Sequence, residues 1–129
     1  MTVAVEMMQT AELESAVAAL KQEGYRLVVV TCTPAAEYTY DITYTFDKDT
    51  AFRHIRIHEA EEAVIPSITP VYPGAFVYEN EIHDLYGFTF NNLSIDFKGT
   101  FIRTSVPYPF RQQRTEPKVT VVNKGGAEK

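Results

Sequence analysis

Three carboxylates and one histidine lie within six consecutive residues of this chain, in the segment ENEIHD. If this segment is helical, Glu81 and Asp84 share one stripe of the helix surface, and Glu79 and His83 face each other one turn apart. Carboxylates close to the C-terminal end of a helix are disfavoured by the helix dipole and by one another. We therefore expect an outside interaction to satisfy them, either with water on a solvated acidic face or with an arginine.

An arginine for this pairing could come from the same chain or from another subunit. The candidates within the chain are Arg103, Arg111 and Arg114. A buried pair of arginine and carboxylate is a strong contact that is often bidentate. The hypothesis predicts that Glu81→Gln or Asp84→Asn weakens a complex more than it weakens the isolated fold.

The sequence contains no pattern typical of a metal ion, a cluster or a nucleotide. His54 and His58 lie four residues apart on one face of a predicted strand, which separates them by about 13 Å, and His83 has no partner at metal-ligand spacing. The single cysteine, Cys32, can form neither an internal disulfide nor an iron–sulfur cluster, and at the end of an aliphatic strand we expect it to be inert. Glycine-rich phosphate motifs are absent. We predict no catalytic, cofactor-binding or metal-binding residue in this chain.

The composition is that of one folded domain, with 129 residues of which 45% are hydrophobic and 22% charged. The net charge of −5 argues against nucleic acid as a partner, since that binding needs lysine and arginine. Residues 97–129 carry seven basic and two acidic side chains, a balance of +5, which leaves five basic and fifteen acidic side chains, a balance of −10, in residues 1–96. Without an export signal or a stretch of about 20 apolar residues, we expect a protein of the cytoplasm.

Apolar periodicity predicts two helices. The first begins with Thr10 as its N-cap and ends at Gly24, and the second covers residues 75–86 and ends at Gly87. The glycines suit the left-handed conformation of a helix C-cap. The apolar faces are formed by Leu13, Val17 and Leu20 in the first helix and by Tyr78, Ile82 and Leu85 in the second.

Strict alternation predicts an antiparallel hairpin. Residues 38–46 alternate between aromatic or aliphatic side chains and threonine or aspartate, and residues 52–58 alternate again after a turn at residues 47–50. The β-branched run at residues 25–32 predicts a further strand that is largely buried. Two more segments, residues 88–90 and 95–97, are candidates for short extended pieces.

These elements predict an α+β domain at residues 1–97. We expect a small antiparallel sheet of three to four strands with helices packed on one face. Residues 98–129 follow as an extended basic arm and a flexible tail, because their prolines disfavour regular structure.

The arm combines arginines with aromatic side chains, which are residue types enriched at the centres of interfaces. Between residues 102 and 122 these are Arg103, Tyr108, Phe110, Arg111 and Arg114. We predict that this segment extends over a partner and is protected from proteolysis only in the complex. The alternative is a disordered tail, which we expect in any case for residues 123–129.

The segment IPSITPVYPGAFVYENEIHDLYGFTF, residues 65–90, resembles the thirty-kilodalton subunit family of respiratory complex I. That family has a P-S-I/V-T segment, an aromatic-Pro-Gly-Ala turn and then E-R-E-x-x-D-L/M-F/Y-G-I/V-x-F. With the hairpin upstream, the resemblance covers roughly residues 25–97. The sequence departs from the pattern at Asn80, where arginine is usual, and after Leu93, where the family's G-H-P-x-L-R-R ending is missing.

Short forms with E-x-E-I-H-D resemble the corresponding subunit of membrane-bound energy-converting [NiFe] hydrogenases, most of all the Ech type. The resemblance implies a non-catalytic subunit on the cytoplasmic side of the cell membrane, held there through partner subunits. The implied partners are a large subunit with the [NiFe] centre, a small subunit with a [4Fe-4S] cluster, a ferredoxin-like subunit and membrane ion-pumping subunits. The complex would couple ferredoxin oxidation and hydrogen formation to ion translocation, and this chain would ligate none of its cofactors.

The resemblance also implies which residues meet the large subunit. By position, the family's signature residues, which shape the domain and its contact with that subunit, are Glu79, Glu81, Asp84, Tyr86, Gly87 and Phe90. The basic arm would lie across the same partner.

Three alternatives remain open. The first is the equivalent subunit of a complex I type NADH, quinone or deazaflavin-linked dehydrogenase, against which the short chain and the missing ending argue. The second is a stand-alone enzyme with Glu81, His83 and Asp84 as acid and base, although adjacent helix positions point in different directions. The third is a free-standing binding module, against which the arginine-rich arm argues.

Overall fold

The computed structural model describes residues 4–93, 98, 101 and 106–112. The following sequence predictions lie outside the described residues: the extended piece at 95–97, Arg103, Arg114 and the tail from residue 113.

A four-stranded sheet forms the centre of the protein. Its strands are β1 (Val5–Met7), β2 (Arg26–Pro34), β3 (Thr39–Lys48) and β4 (Ala51–Ala60), in the spatial order β1-β4-β3-β2. The predicted hairpin is β3 and β4, and its turn residues Asp49 and Thr50 both have positive φ, as a two-residue type I′ turn requires. The sheet is mixed, because the short strand β1, which sequence alternation did not indicate, runs parallel to β4.

Both predicted helices are present, and with the sheet they confirm the α+β class. The helices are α1 (Leu13–Gln22) and α2 (Phe76–Tyr86). A 3-10 turn precedes α1 and begins after Gln9, so the predicted N-cap is wrong by one residue. The Thr10 hydroxyl instead donates a hydrogen bond to Glu59. Two short strands, β5 (Val64–Pro66) and β6 (Thr89–Asn91), pair with each other in parallel. In sequence, β5 precedes α2 and β6 follows it.

The core lies between one face of the central sheet and the two helices. The aromatic and aliphatic residues of β3 point into it and are completely buried, and they belong to one contiguous cluster with residues of α1, α2, β5 and β6. The opposite face of the sheet is polar, with cross-strand contacts such as Thr43 to Arg56 and Asp41 to His58, both at 2.8 Å. The helices therefore cover one face only, as predicted.

Strand β2 lies at an edge of the sheet, and the prediction that it is largely buried is wrong. Val30 is the one buried residue of its nine. The β-branched run indicated a strand correctly, but the position of a strand within a sheet is decided by contacts that are distant in sequence.

Candidate functional site

Helix α2 carries the predicted acidic residues, and it turns part of its polar face inward. Glu79 is completely buried. Its Oε1 accepts a hydrogen bond of 2.6 Å from the Ser67 hydroxyl, and its Oε2 accepts one of 2.9 Å from the backbone N–H of Ile68. The Ser67 oxygen also accepts the N–H of Thr69 at 3.0 Å. The Glu79 carboxylate therefore fixes the Pro-Ser-Ile-Thr segment against α2.

This burial changes the acidity of Glu79. Loss of hydration raises the pKa of its carboxyl group to about 7, against the opposing effect of the hydrogen bonds from Ser67 and Ile68. The carboxylate of Glu79 is enclosed by its own chain, and the contact of this residue with a partner subunit stays a prediction. Sequence reasoning quoted Ser67 as part of a motif but had no signal that it would meet Glu79.

The end of α2 is built around Gly87. This residue has a φ of 91°, and its N–H donates to the His83 carbonyl at 2.8 Å. A Cβ atom at Gly87 would collide with the guanidinium group of Arg111, whose Cζ lies 2.9 Å from that position. Glycine is therefore required here for both its backbone conformation and its small size, and Gly87 lies beneath its own chain instead of at a free surface.

Residues 108–112 cover the C-terminal end of α2. The Nε of Arg111 donates to the Tyr86 carbonyl at 2.8 Å, and the N–H of Phe110 donates to the Leu85 carbonyl at 2.9 Å. A cation and two N–H donors are thus placed where a helix has unpaired carbonyls and the negative end of its dipole. Within the described part of the chain, the acidic partner of Arg111 is Glu62 at 3.7 Å.

Gln112 ties the same segment to the connection between β2 and β3. Its Nε2 donates to the carbonyls of Ala35 at 3.1 Å and Thr39 at 2.7 Å, and its Oε1 accepts the N–H of Tyr38 at 3.0 Å. Residues 108–112 therefore bind their own domain, and the prediction that this stretch of the arm also lies across a partner stays a prediction. Sequence reasoning missed Gln112, because nothing local marks a glutamine whose partners lie more than 70 residues away.

Three tyrosine hydroxyls bind backbone carbonyls of β2 and of the residue that precedes it. Tyr78 and Tyr86 of α2 donate to the carbonyls of Val28 and Cys32, both at 3.0 Å. Tyr72, ahead of the helix, donates to the carbonyl of Tyr25 at 2.7 Å. An edge strand with free carbonyls is a template for pairing with another chain, and the hydroxyls of Tyr78 and Tyr86 occupy two of those carbonyls.

The remaining predicted residues divide into buried and accessible ones. Asp84 is buried, with Oδ1 2.9 Å from Nδ1 of His83, and Phe90 belongs to the core. Phe90 therefore packs inside the domain, and its contact with a partner subunit stays a prediction. Glu81 is half-buried, and the side chain of Phe110 is exposed. For these two residues, contact with a partner stays a prediction.

Cysteine and histidine are the residue types of this chain most often used in catalysis and metal binding, and what each can do depends on its surroundings. Burial raises the pKa of the Cys32 thiol to about 12, which keeps it protonated and unreactive at neutral pH. His54 and His58 lie along one strand, each beside a residue of β3. Across the residues that the structure describes, no three histidine, cysteine, aspartate or glutamate side chains form a group that could hold a metal ion.

Comparison with known proteins identifies the family to which this chain belongs. The family model described as the 30-kilodalton subunit of respiratory-chain NADH dehydrogenase matches residues 7–118. The chain belongs to this family. The matched range includes the segment of residues 66–69, which Glu79 binds, and the segment of residues 108–112, which binds the end of α2 through Arg111.

Several NADH-quinone oxidoreductase C subunits are similar in sequence to this family member. The chain is 36% identical over 59 residues to that of Azorhizobium caulinodans, which covers 44% of this chain and 28% of the relative. It is 34% identical over 74 residues to that of Phenylobacterium zucineum, covering 53% and 35%. The matched part is thus about a third of the length of these curated relatives.

The fold of this family member is also found in a solved structure of the membrane-bound sulfane sulfur reductase, an archaeal respiratory membrane complex. The similarity has a TM-score of 0.66 at 15% identity and covers 81% of this chain and 65% of that chain. Among the helices described, none is long and apolar enough to cross a membrane.

Proposed function

We propose that this chain is a non-catalytic accessory subunit in the cytoplasmic arm of a membrane-bound oxidoreductase complex. The observation that carries this proposal is the family match over residues 7–118. The geometry supports it, because Glu79, Asp84 and Arg111 take part in bonds within the chain that hold the fold together. The chain would be held peripherally at the membrane through its partner subunits.

The finer proposal is an energy-converting [NiFe] hydrogenase of the Ech type. Its large subunit would carry the [NiFe] centre, and its small and ferredoxin-like subunits would carry [4Fe-4S] clusters. The E-x-E-I-H-D form and the residues after Leu93, which differ from the family's G-H-P-x-L-R-R pattern, support this assignment. The complex would couple ferredoxin oxidation and hydrogen formation to ion translocation by its membrane subunits.

A second candidate is the equivalent subunit of a related complex without nickel. The sequence relatives are named as subunits of NADH-quinone oxidoreductases, and the structural relative comes from a sulfane sulfur reductase complex. The residues that distinguish these enzymes would lie in the large subunit, so the partner decides between them.

Purification of the complex tests both levels of the proposal. The tagged chain is isolated gently from its native membranes and analysed by mass spectrometry and for nickel, with an untagged strain as control. A nickel-containing large subunit and hydrogen evolution from reduced viologen or ferredoxin are expected for the hydrogenase. Related partners without nickel would indicate the second candidate, and recovery of the chain alone would contradict the accessory role.

A further inference from the structure

A groove separates helix α2 from the outer edge of β2. Its volume is about 260 Å³, and Phe110 of the segment that covers the helix end closes one side. Tyr78 and Tyr86, whose hydroxyls bind the strand, lie in its walls together with Leu85. We call this space the α2–β2 groove.

The lining of the α2–β2 groove is mostly apolar and aromatic, with Thr31 and Cys32 as small polar residues and with one charged group. That group is Glu81, the sole ionisable carboxylate among the lining residues. Within the described part of the chain, Glu81 has no hydrogen bond and no ion pair, in contrast to Glu79 and Asp84 on the same helix. A carboxylate held beside aromatic rings and without a partner favours a cationic ligand.

The size of the groove limits the ligand. A volume of 260 Å³ is below the range of about 300–1,000 Å³ that is usual for small-molecule and cofactor pockets. It suits a single long side chain. Phe110, at the edge of the groove, is 55% exposed, and its ring packs edge-on against that of Tyr86 at a centroid distance of 5.7 Å. An exposed apolar surface therefore lies beside the opening of the groove.

We propose that the α2–β2 groove receives one arginine side chain from a partner subunit, with the guanidinium group paired to Glu81. Arginine fits better than lysine because its planar guanidinium group stacks on aromatic rings and binds a carboxylate through two hydrogen bonds. Arginine and aromatic side chains in such pockets contribute most of the energy of many interfaces. The inference rests on the proposed function, since it needs a partner subunit.

Photocrosslinking in the intact complex tests where the partner binds. Phe110 is replaced by p-benzoylphenylalanine in the tagged chain, the native membranes are irradiated, and the crosslinked peptide is identified by mass spectrometry. We expect a peptide of a partner subunit that contains an arginine. A crosslink to residues 102–105 or 113–118 of this chain would overturn the inference, because the occupant would then be Arg103 or Arg114 of the chain itself.

Substitution of the carboxylate tests the pairing. We expect Glu81→Gln to lower retention of the partner by about tenfold or more. The matched control Glu23→Gln, an exposed carboxylate at the C-terminal end of α1, should leave retention unchanged. Reversal of both charges, Glu81→Arg here and arginine to glutamate in the crosslinked peptide, should restore retention.

The outcomes separate this inference from the proposed function. If the wild-type chain retains its partners and Glu81→Gln retains them equally, the inference is wrong and the accessory role stands. If the wild-type chain retains no partner, both are wrong. Equal far-ultraviolet circular dichroism spectra of purified wild type, Glu81→Gln and Glu23→Gln would show that a loss of partner retention is not caused by a loss of fold.

Discussion

Glu79 is expected to make the stability of this protein depend on pH. Its pKa is about 7 in the folded protein and near the ordinary value of 4.5 in the unfolded chain, because folding removes its hydration. The folded state therefore binds more protons between these values. The contribution of Glu79 to stability is complete below pH 4.5 and is lost as the pH rises through 7, by about 3 kcal/mol in total.

The variant Glu79→Gln tests this prediction, since the amide does not titrate. We expect the free energy of unfolding of the variant, relative to wild type, to improve by up to about 3 kcal/mol between pH 5 and pH 8. Urea denaturation at each pH measures it. All other titrating groups are common to both proteins and cancel in the difference. Parallel pH profiles of the two proteins would contradict the prediction, and Glu23→Gln serves as the exposed control.

Gly87 permits a second test at the scale of a residue. We expect Gly87→Ala to lower the free energy of unfolding by about 2 kcal/mol or more, because alanine in the left-handed region costs about 1–2 kcal/mol and its methyl group would displace Arg111. The control is Gly74→Ala, where no atom lies within 4 Å of the new methyl group. This change should stay within about 0.5 kcal/mol of wild type.

The double variant separates the two effects at Gly87. In an Arg111→Ala background the collision with the guanidinium group is removed, and Cγ of Tyr108 at 3.1 Å remains close to the methyl group. Gly87→Ala should therefore cost less stability there than in wild type. Equal costs in both backgrounds, measured by denaturation, would mean that the contact with Arg111 contributes nothing.

At the scale of elements, Gln112 is expected to hold residues 108–112 on the domain. Its side chain makes three hydrogen bonds to the connection between β2 and β3. Removal of these bonds in Gln112→Ala should lower stability by about 1–3 kcal/mol and expose the bond between Phe110 and Arg111 to chymotrypsin.

Limited proteolysis of the isolated chain measures this exposure. In wild type the bond after Phe110 should resist cleavage, and in Gln112→Ala it should be cut readily. The control is Gln22→Ala, at an exposed position near the end of α1. Rapid cleavage of wild type at this bond would show that the segment does not stay bound to α2.

At the scale of the whole molecule, the protein should unfold in one cooperative step. One contiguous core joins both helices, the central sheet and the parallel pair of β5 and β6, and small domains with a single core are usually two-state. The far-ultraviolet signal of the backbone and the near-ultraviolet signal of the tyrosines should therefore change with the same midpoint in urea. Two separate midpoints would contradict this prediction.

The amino-acid sequence by itself determined the elements and the family. Periods of two and of about 3.6 residues are local properties, so the β3–β4 hairpin, the two helices and their glycine ends were predictable from neighbouring residues. The motif of residues 65–90 resembled the right family for the same reason, since it is one contiguous segment. The parallel pairing of β1 and the edge position of β2 were not predictable, because they depend on which strands meet.

Only the tertiary structure decided what the signature residues do. Charge and helix position suggested that Glu79, Glu81 and Asp84 would behave alike. In the structure, Glu79 is buried and accepts a hydrogen bond from Ser67, and Asp84 is buried beside His83. Glu81, in contrast, borders a groove. Likewise, the composition of the arm suggested a partner's surface, whereas Arg111 and Gln112 bind the domain that precedes them. The physical reason is that burial and hydrogen bonding depend on groups far away in sequence, which come together only when the chain closes around its core.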